Sequence, residues 1–509
     1  MVWPADTILS RSLAASLGVL MASLLWQGCA MTPAVPVQDS ADSLPETYDT
    51  SLFQSDDTSA ETAAHPVVMP TAEPIARWWQ EWGDARLNTL VDSVLVANAD
   101  IRMAAARVLE VQEAFRISRS ARLPVVQATA DGNRQSTPTN IGATGRFSES
   151  IPGFPDRFDV TQYSASLGMA WELDFWGKAR ASSKAAFSQF IATTAEYEAA
   201  RIGVVAETIS AYFELLDIRE QIRLADEQLS LLDERLEVTR DRYRRGLVTS
   251  FEWYGLQQQT DEARAARPLL DAQYVAARGR LAVLLGGTAG TVESLVDQHG
   301  APLASGAHIP DVLPADLIRA RPDVAAAAAR MEAARQMVGV RRAEQFPSFS
   351  LTAAGGTQSS DLAQLLETST QRFWLFGGSL TAPVFASGAR RAAVQQAWAQ
   401  YEQAAAAYEK AVLAAFQDVS GALAGFAAED ERLQAVESAH QVARSSHVTA
   451  RDRYLSGVGS YTALVDARLN ELRTRTALST AIRSAALARL NVHRAIGGNW
   501  LPETDSHSD

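Results

Sequence analysis

The chain carries one long pattern twice, and this duplication restricts its fold more than any other feature. With residues 197–287 laid over 408–498 at a spacing of 211, Tyr197 falls on Tyr408, Asp241-Arg242-Tyr243 on Asp452-Arg453-Tyr454, Gly246 on Gly457 and Gly286-Gly287 on Gly497-Gly498. Upstream, a spacing of 223 aligns Asp100 with Asp323, Arg107 with Arg330, Pro124 with Pro347 and Gly132 with Gly355. The change of spacing places net insertions in connecting segments, where loops tolerate length changes. The period is far longer than the roughly 20–50 residues of a solenoid repeat. One architectural half is therefore expected to be built twice. Residues 77–287 form the first repeat and 313–498 the second, each a helix, two strands and a long helical hairpin. Residues 288–312 join them and 499–509 form a tail.

Most of each half reads as a very long helix. Val204, Thr208, Ala211, Leu215, Ile218, Ile222, Ala225, Leu229, Leu232, Leu236, Thr239 and Tyr243 recur in alternating steps of four and three. That spacing keeps one stripe of the helix against a partner, as in a coiled coil. The second copy keeps the phase through Ala415, Val419, Ala422, Phe426, Glu429, Leu433, Val436, His440, Ala443, His447, Ala450 and Tyr454. No proline interrupts 178–267 or 384–501, so nothing breaks either rod. A helix over 178–245 would be roughly 100 Å long at about 1.5 Å per residue. Such a rod spans a gap. Gly246 and Gly457 stand where a helix end favours a left-handed residue. Thr249 with Glu252, and Ser460 in the second copy, cap the returning helices expected near 252–285 and 461–496. Two hairpins follow, with tips at Gly246, Thr249 and Ser250 and at Gly457, Gly459 and Ser460.

The remaining repeated material alternates with a period of two. Phe349, Leu351, Ala353 and Gly355 alternate with small or polar residues, as do Leu167, Met169, Trp171 and Leu173; 125–133 and 373–382 alternate less cleanly. Runs of about 9–11 residues suit tilted membrane strands, and one apolar face opposite a polar one suits a water-filled barrel. Residues 134–161 and 358–372 read as exposed loops. Four strands cannot close a barrel, and hydrocarbon does not tolerate an open edge. Copies of the chain must therefore pool strands: two copies would leave little lumen, and three would enclose water.

The N-terminus reads as a targeting segment, with Arg11 before an apolar run from Leu13 to Trp26 that is too short to span. Residues 1–28 form a signal peptide, and Cys29, the single cysteine, becomes the lipid-attachment site. Ala30 rather than Asp follows it, which fits sorting to the outer membrane. Residues 29–76 follow as a lipidated extended linker, with no Lys or Arg between Ala30 and Ala76. No other segment reads as a membrane-spanning helix. The net charge of −13 argues against a nucleic-acid partner.

Several strings in order carry a family resemblance. They are Trp79, Gly83-Asp84, Leu87 and Asn98-Ala99-Asp100; Trp171-Glu172-Leu173-Asp174-Phe175-Trp176-Gly177-Lys178; Arg321-Pro322-Asp323-Val324; and Phe346-Pro347-Ser348-Phe349-Ser350-Leu351. Together they resemble the TolC-like outer-membrane factor family, in its branch of NodT-type lipoprotein channels of RND efflux systems, over roughly residues 75–500. The resemblance implies a mixed α and β membrane protein. Long coiled-coil hairpins would form an α-barrel, and four membrane strands per chain would form a shared 12-stranded barrel in a homotrimer. It also implies a passive exit duct in the outer membrane of a Gram-negative bacterium, docked to a periplasmic adaptor and an inner-membrane pump. The tips become the adaptor-docking region. Asp241, Arg242, Tyr243, Arg244, Arg245, Asp452, Arg453 and Tyr454 become gate candidates, able to pair across rods and hold a ring shut.

The rivals fit less well. No zinc helix, P-loop, nucleophile elbow or Cys/His cluster is present, so no enzyme, metal or cofactor is expected. His440 and His447 read as seam packing. A periplasmic coiled-coil adaptor or scaffold lipoprotein without a channel would also use long hairpins. It would need only one, flanked by β modules.

Overall fold

A computed structural model describes residues 77–139, 154–288, 290, 292, 318, 320–367 and 369–498. A short 3-10 turn at Trp78–Trp82 precedes α1 (Ala85–Ala97), α2 (Ala99–Ser120), β1 (Val125–Pro138) and β2 (Arg157–Leu173). Next come α3 (Lys178–Arg244), α4 (Ser250–Leu284), α5 (Pro322–Ala343), β3 (Ser348–Ser359) and β4 (Arg372–Thr381). The chain ends in α6 (Ala389–Leu455) and α7 (Tyr461–Ala495). The rods α3 and α6 are each 67 residues long, and the returning helices α4 and α7 each 35. Cys29 lies outside the described residues.

The chain separates into two compact units. Among the described residues, one comprises 109–191 and 328–406, and the other the remainder.

The first unit holds an antiparallel sheet in the order β1-β2-β3-β4, with β1 and β4 at its edges. Val126, Met169, Ala353 and Phe376 form one cross-strand row, and Ala128, Leu167, Gly355 and Trp374 the next, on an apolar face. On the opposite face Thr129 meets Ser166 at 2.9 Å and Ser350 meets Ser379 at 2.7 Å. The strands outrun their apolar patterning. β1 continues through Pro138, β2 begins at Arg157 and β3 reaches Ser359, so parts of the expected loops are strand. On β1 and β3 these ends are polar on both faces, so the backbone ladder outlasts the alternation, whereas β2 still alternates there, with Phe158 and Val160 between Arg157, Asp159 and Thr161. At the other end Trp176 Nε1 donates to the Pro347 carbonyl at 2.7 Å and its ring stacks on Phe346 at 4.7 Å. Asp174 accepts from the amides of Ala179 and Arg180 at 3.0 and 2.9 Å, anchoring the first turn of α3.

In the second unit the two copies make the same joint with different chemistry. Asn98 caps α2 through the amides of Asp100 and Ile101, and its Nδ2 donates to the Leu284 carbonyl at 3.0 Å. Its counterpart Arg321 donates to the Ala495 carbonyl at 2.6 Å, and also pairs with Asp323 at 2.8 Å and Asp418 at 3.1 Å. Both use a side chain to satisfy the last carbonyls of a returning helix, which lack a partner in the helix itself.

Trp78, Trp79 and Trp82 are all buried, and Trp82 packs against Phe213 at 5.9 Å. Tyr212 donates at 2.6 Å to Asp84, which also caps α1. This contact and the backbone amides hold the Asp84 carboxyl below its usual range although burial, the largest single influence, pushes it up.

Of the predicted seam of α3, Val204, Thr208, Ala211, Leu215, Ile218, Leu232 and Thr239 are buried and Ile222, Ala225, Leu229, Leu236 and Tyr243 half-buried, while Val205, Ile209, Tyr212 and Phe213 beside it are buried too. α4 passes Pro268 without ending. The proline removes one amide donor, but Arg264 and Arg267 beside it hold Asp233 and Asp226 of α3 at 2.8 and 2.5 Å. One expectation needs correction: α6 contains an 18-residue window of mean hydropathy 1.4, only 17% buried, apolar and long enough to cross a membrane. Its alanine content hid it, because small side chains give hydropathy without bulky apolar residues.

Candidate functional site: the hairpin tips and the ladder above them

At the first tip the chain turns through Gly246, whose φ of 73° suits a residue without a Cβ. Gly246 N donates to the Tyr243 carbonyl at 2.8 Å and Leu247 N to that of Arg242 at 2.9 Å. Thr249 then caps α4 by accepting from Glu252 N at 3.2 Å, as the capping pattern predicted. The second tip repeats this with Gly457 (φ 75°) and Ser460, which accepts from Ala463 N at 3.1 Å. Gly459 N bonds the Arg453 carbonyl at 2.9 Å, and a Cβ at Gly459 would press on Tyr454 N at 3.0 Å.

Aromatic rings brace both turns. Tyr243 stacks on Trp253 at 4.8 Å, and Tyr454 meets Tyr461 at 6.0 Å. Beyond them the tips present apolar side chains to solvent: Leu247, Phe251, Leu455 and Val458 are 64–88% exposed.

Among the described residues the charged gate candidates are not brought together across rods. Asp241 meets only Arg244 of its own helix, at 3.9 Å, and both are largely exposed. The side chains of Arg242, Arg245, Asp452 and Arg453 make no hydrogen bond or ion pair with a described residue.

The cross-rod pairs stand higher, where α3 faces α7. Tyr461 donates to Glu234 at 3.0 Å, Arg235 to Asp466 at 2.6 Å, and Arg475 to Glu220 at 3.1 Å, with Arg468 bound to Glu227 between them. Ser479 donates to the buried Asp217 at 2.6 Å, and Arg483 pairs with it at 3.4 Å. Arg468 also holds Glu471 at 2.6 Å, and His447 of α6 meets the same carboxylate at 2.6 Å. Burial pushes the Glu471 carboxyl up, but Arg468 and His447 hold it below its usual range. Burial and then Glu234 push the Tyr461 phenol up to about 12. This ladder was missed in the sequence, although its signal was there. Glu220, Glu227 and Glu234 step by seven along α3, and Arg475, Arg468 and Tyr461 step by seven the other way along α7.

The hairpins, the tips and the small antiparallel sheet together suit a transport conduit, and similarity to known proteins decides the family. A profile of the outer membrane efflux protein family matches residues 90–287 and 313–498. The chain belongs to that family. The toluene efflux pump outer membrane protein TtgC of Pseudomonas putida is 28% identical over 428 residues, covering 84% of this chain and 86% of TtgC. The structure of the outer-membrane channel OprN superposes with a TM-score of 0.73 at 27% identity, covering 88% of this chain and all of OprN. That of VceC, an outer membrane protein of Vibrio cholerae, gives 0.72 at 25% identity over 84% of this chain. As a member of this efflux family the chain is a protein of the outer membrane. Two of the strings that carry the resemblance have physical roles: the run from Trp171 to Lys178 fastens strand to rod, and Arg321-Pro322-Asp323 fastens α5 to the end of α7.

Proposed function

We propose that the chain is one third of an outer-membrane exit duct, three copies of which close a 12-stranded barrel and a helical tunnel. The observation that carries this reading is a four-stranded sheet with two open edges, β1 and β4, and one apolar face. An open edge leaves backbone groups unpaired, and hydrocarbon offers them no partner. Copies of the chain do. The exposed apolar stretch of α6 is a second surface that another copy would cover. A mostly polar inner face and a tunnel of hydrated helices would pass solutes without supplying energy.

Energy and selection then come from partners. The relatives named as efflux pump components motivate a periplasmic adaptor and an inner-membrane pump of RND type for this chain too. The apolar tips around Phe251 and Val458 are the surface such an adaptor would cover. The ladder between α3 and α7 would hold the two hairpins of each copy together and so set the tunnel's narrow end. Asp241, Arg242, Arg245, Asp452 and Arg453, unpaired across rods in one chain, would face neighbouring copies there. Residues 1–28 would direct export and Cys29 would carry acyl chains. Residues 77–287 and 313–498 would be two versions of one half.

Reconstitution in a planar lipid bilayer tests the proposal, combined with cysteines introduced on β1 and β4 for cross-linking. Ion conduction and a cross-linked species of three chains are expected. A water-soluble single chain that conducts nothing would point instead to the scaffold reading. Replacing Arg242 and Arg453 with Ser should raise single-channel conductance; unchanged conductance removes them from the gate.

A further inference from the structure

The charges of the sheet are sorted by face. Arg134, Arg157 and Arg372 all lie on the apolar face, because their cross-strand partners share rows with, or alternate in step with, Ala130, Ala165 and Thr357. The opposite face carries only acids, Asp131 and Glu172. On the apolar face Asp159 is the one acid among the described strand residues.

The arginines are also sorted by height. Leu380, Gly378, Phe376 and Trp374 follow one another along that face of β4, ending with Trp374 at 83% exposure. Arg372 comes next, about 7 Å further along the strand. On β2, Tyr163 stands one row beyond the Ala165 that shares the row of Arg372. Arg134 and Arg157 lie beyond Tyr163 in turn. Apolar band, aromatic ring, then cation is the order in which a membrane strand leaves hydrocarbon for headgroups.

Two of these cations have no partner among the described residues. Arg372 and Arg134 are exposed and make no hydrogen bond or ion pair with a described residue, whereas Arg157 donates to Ser136 at 2.8 Å. They sit on the edge strands, β4 and β1. If copies close the sheet edge to edge, as proposed above, an arginine of β4 comes onto the strand next to an arginine of β1 from the next copy. A guanidinium binds phosphate with two parallel hydrogen bonds.

We propose that Arg372 and Arg134 form a binding site for a phosphorylated lipid headgroup on the outward face of the barrel, at the membrane boundary farther from the rods. The occupant is a lipid and not free phosphate, because the apolar band directly below the arginines receives acyl chains while the headgroup meets the cations. The proposal rests on the barrel reading, since the site is completed between copies.

The test titrates the purified full-length chain in non-ionic detergent with an acylated glucosamine disaccharide carrying two phosphates. Native mass spectrometry counts the bound lipid. Each of Arg372→Gln and Arg134→Gln should weaken binding about fivefold, and the pair roughly thirtyfold. The dephosphorylated glycolipid should bind the unaltered chain as weakly as the phosphorylated one binds the double variant. Inorganic phosphate in large excess should not compete. Equal affinity of the unaltered chain and the double variant overturns the site, as does full competition by inorganic phosphate. Conduction is recorded for both proteins in phosphatidylcholine bilayers. Conduction with unaltered lipid affinity overturns the lipid site and leaves the duct standing. No conduction by the unaltered chain overturns the duct, and the lipid site with it.

Discussion

Acidification from about pH 7 to about pH 5 should loosen the Trp78–Trp82 segment through one buried imidazole. His493 is 1% exposed, and its ring stacks on Trp78 at 5.2 Å and 13°. Burial, and secondarily Arg489, push its pKa from 6.5 to about 4. Glu81 Oε2 is 3.6 Å from Nε2 and by itself would favour the imidazolium. That carboxylate is already engaged by Arg489 at 3.0 Å, however, so the pair presents little net field to the ring. The sign follows from linkage. In the docked state the ring stays neutral down to about pH 4, while in the undocked state it protonates near 6.5. The docked state therefore loses no stability to this ring above about pH 6.5 and loses it steadily as the pH falls towards 4. By pH 5 the loss is about 2 kcal/mol, or roughly thirtyfold in the undocked population. Amide hydrogen exchange of peptides spanning Trp78–Trp82, corrected for the intrinsic pH dependence, reads this population. His493→Phe keeps a ring on Trp78 but cannot titrate, so its protection should change little between the two pH values. An identical acid response in both proteins would refute the argument.

Arg468→Met removes the one side chain that joins Glu227 of α3 to Glu471 of α7. With the side chains partly exposed, the loss should be about 1–3 kcal/mol per chain, read as higher single-channel conductance in planar bilayers. Unaltered conductance would show that the ladder does not hold the narrow end. Gly356→Ala would place a Cβ 2.6 Å from Ser166 Cα of β2. Because backbone rather than a flexible side chain must yield, the sheet should lose about 3 kcal/mol, seen as a lower temperature for the loss of heat-resistant oligomer on gels. Arg321→Met leaves the Ala495 carbonyl unpaired and removes a buried guanidinium from Asp323 and Asp418, themselves about half exposed, and should cost about 2–3 kcal/mol. The matching Asn98→Ala strands only the Leu284 carbonyl and an uncapped α2, costing about 1–2 kcal/mol. Thermal melts followed by circular dichroism should rank them in that order.

Much was legible because the relevant signals are local. A heptad stripe, a capping Thr249 or Ser460 and a glycine at each turn each act within a few residues, so rods, tips and returning helices fell within a residue or two of their expected ends. Strand ends were less legible. Past the apolar band of β1, Arg134 to Pro138 pair with β2 through the backbone, which leaves no pattern in their side chains, whereas the alternating Phe158 and Val160 of β2 were a signal hidden between charged neighbours. The apolar stretch of α6 was hidden in alanine, and the joints at Asn98 and Arg321 looked like motifs without a mechanism.

By itself the sequence determined that one half is built twice, that each half is a rod folded back on itself, and that its strands have one apolar and one mostly polar face. The apolar and polar strand faces, like the rods, follow from periodicity, which each helix or strand obeys separately, while a face for lipid and a face for water belong to the proposed barrel. Only the tertiary structure decided which charges meet. The heptad-spaced acids of α3 could have faced solvent, a neighbouring copy or α4. The rotation of α3 against α7 gave Glu220, Glu227 and Glu234 to Arg475, Arg468 and Tyr461. It also left Arg242 and Arg453 without a partner among the described residues. Pairing across helices depends on rotation and axial offset to within a few ångströms, which a one-dimensional pattern does not specify.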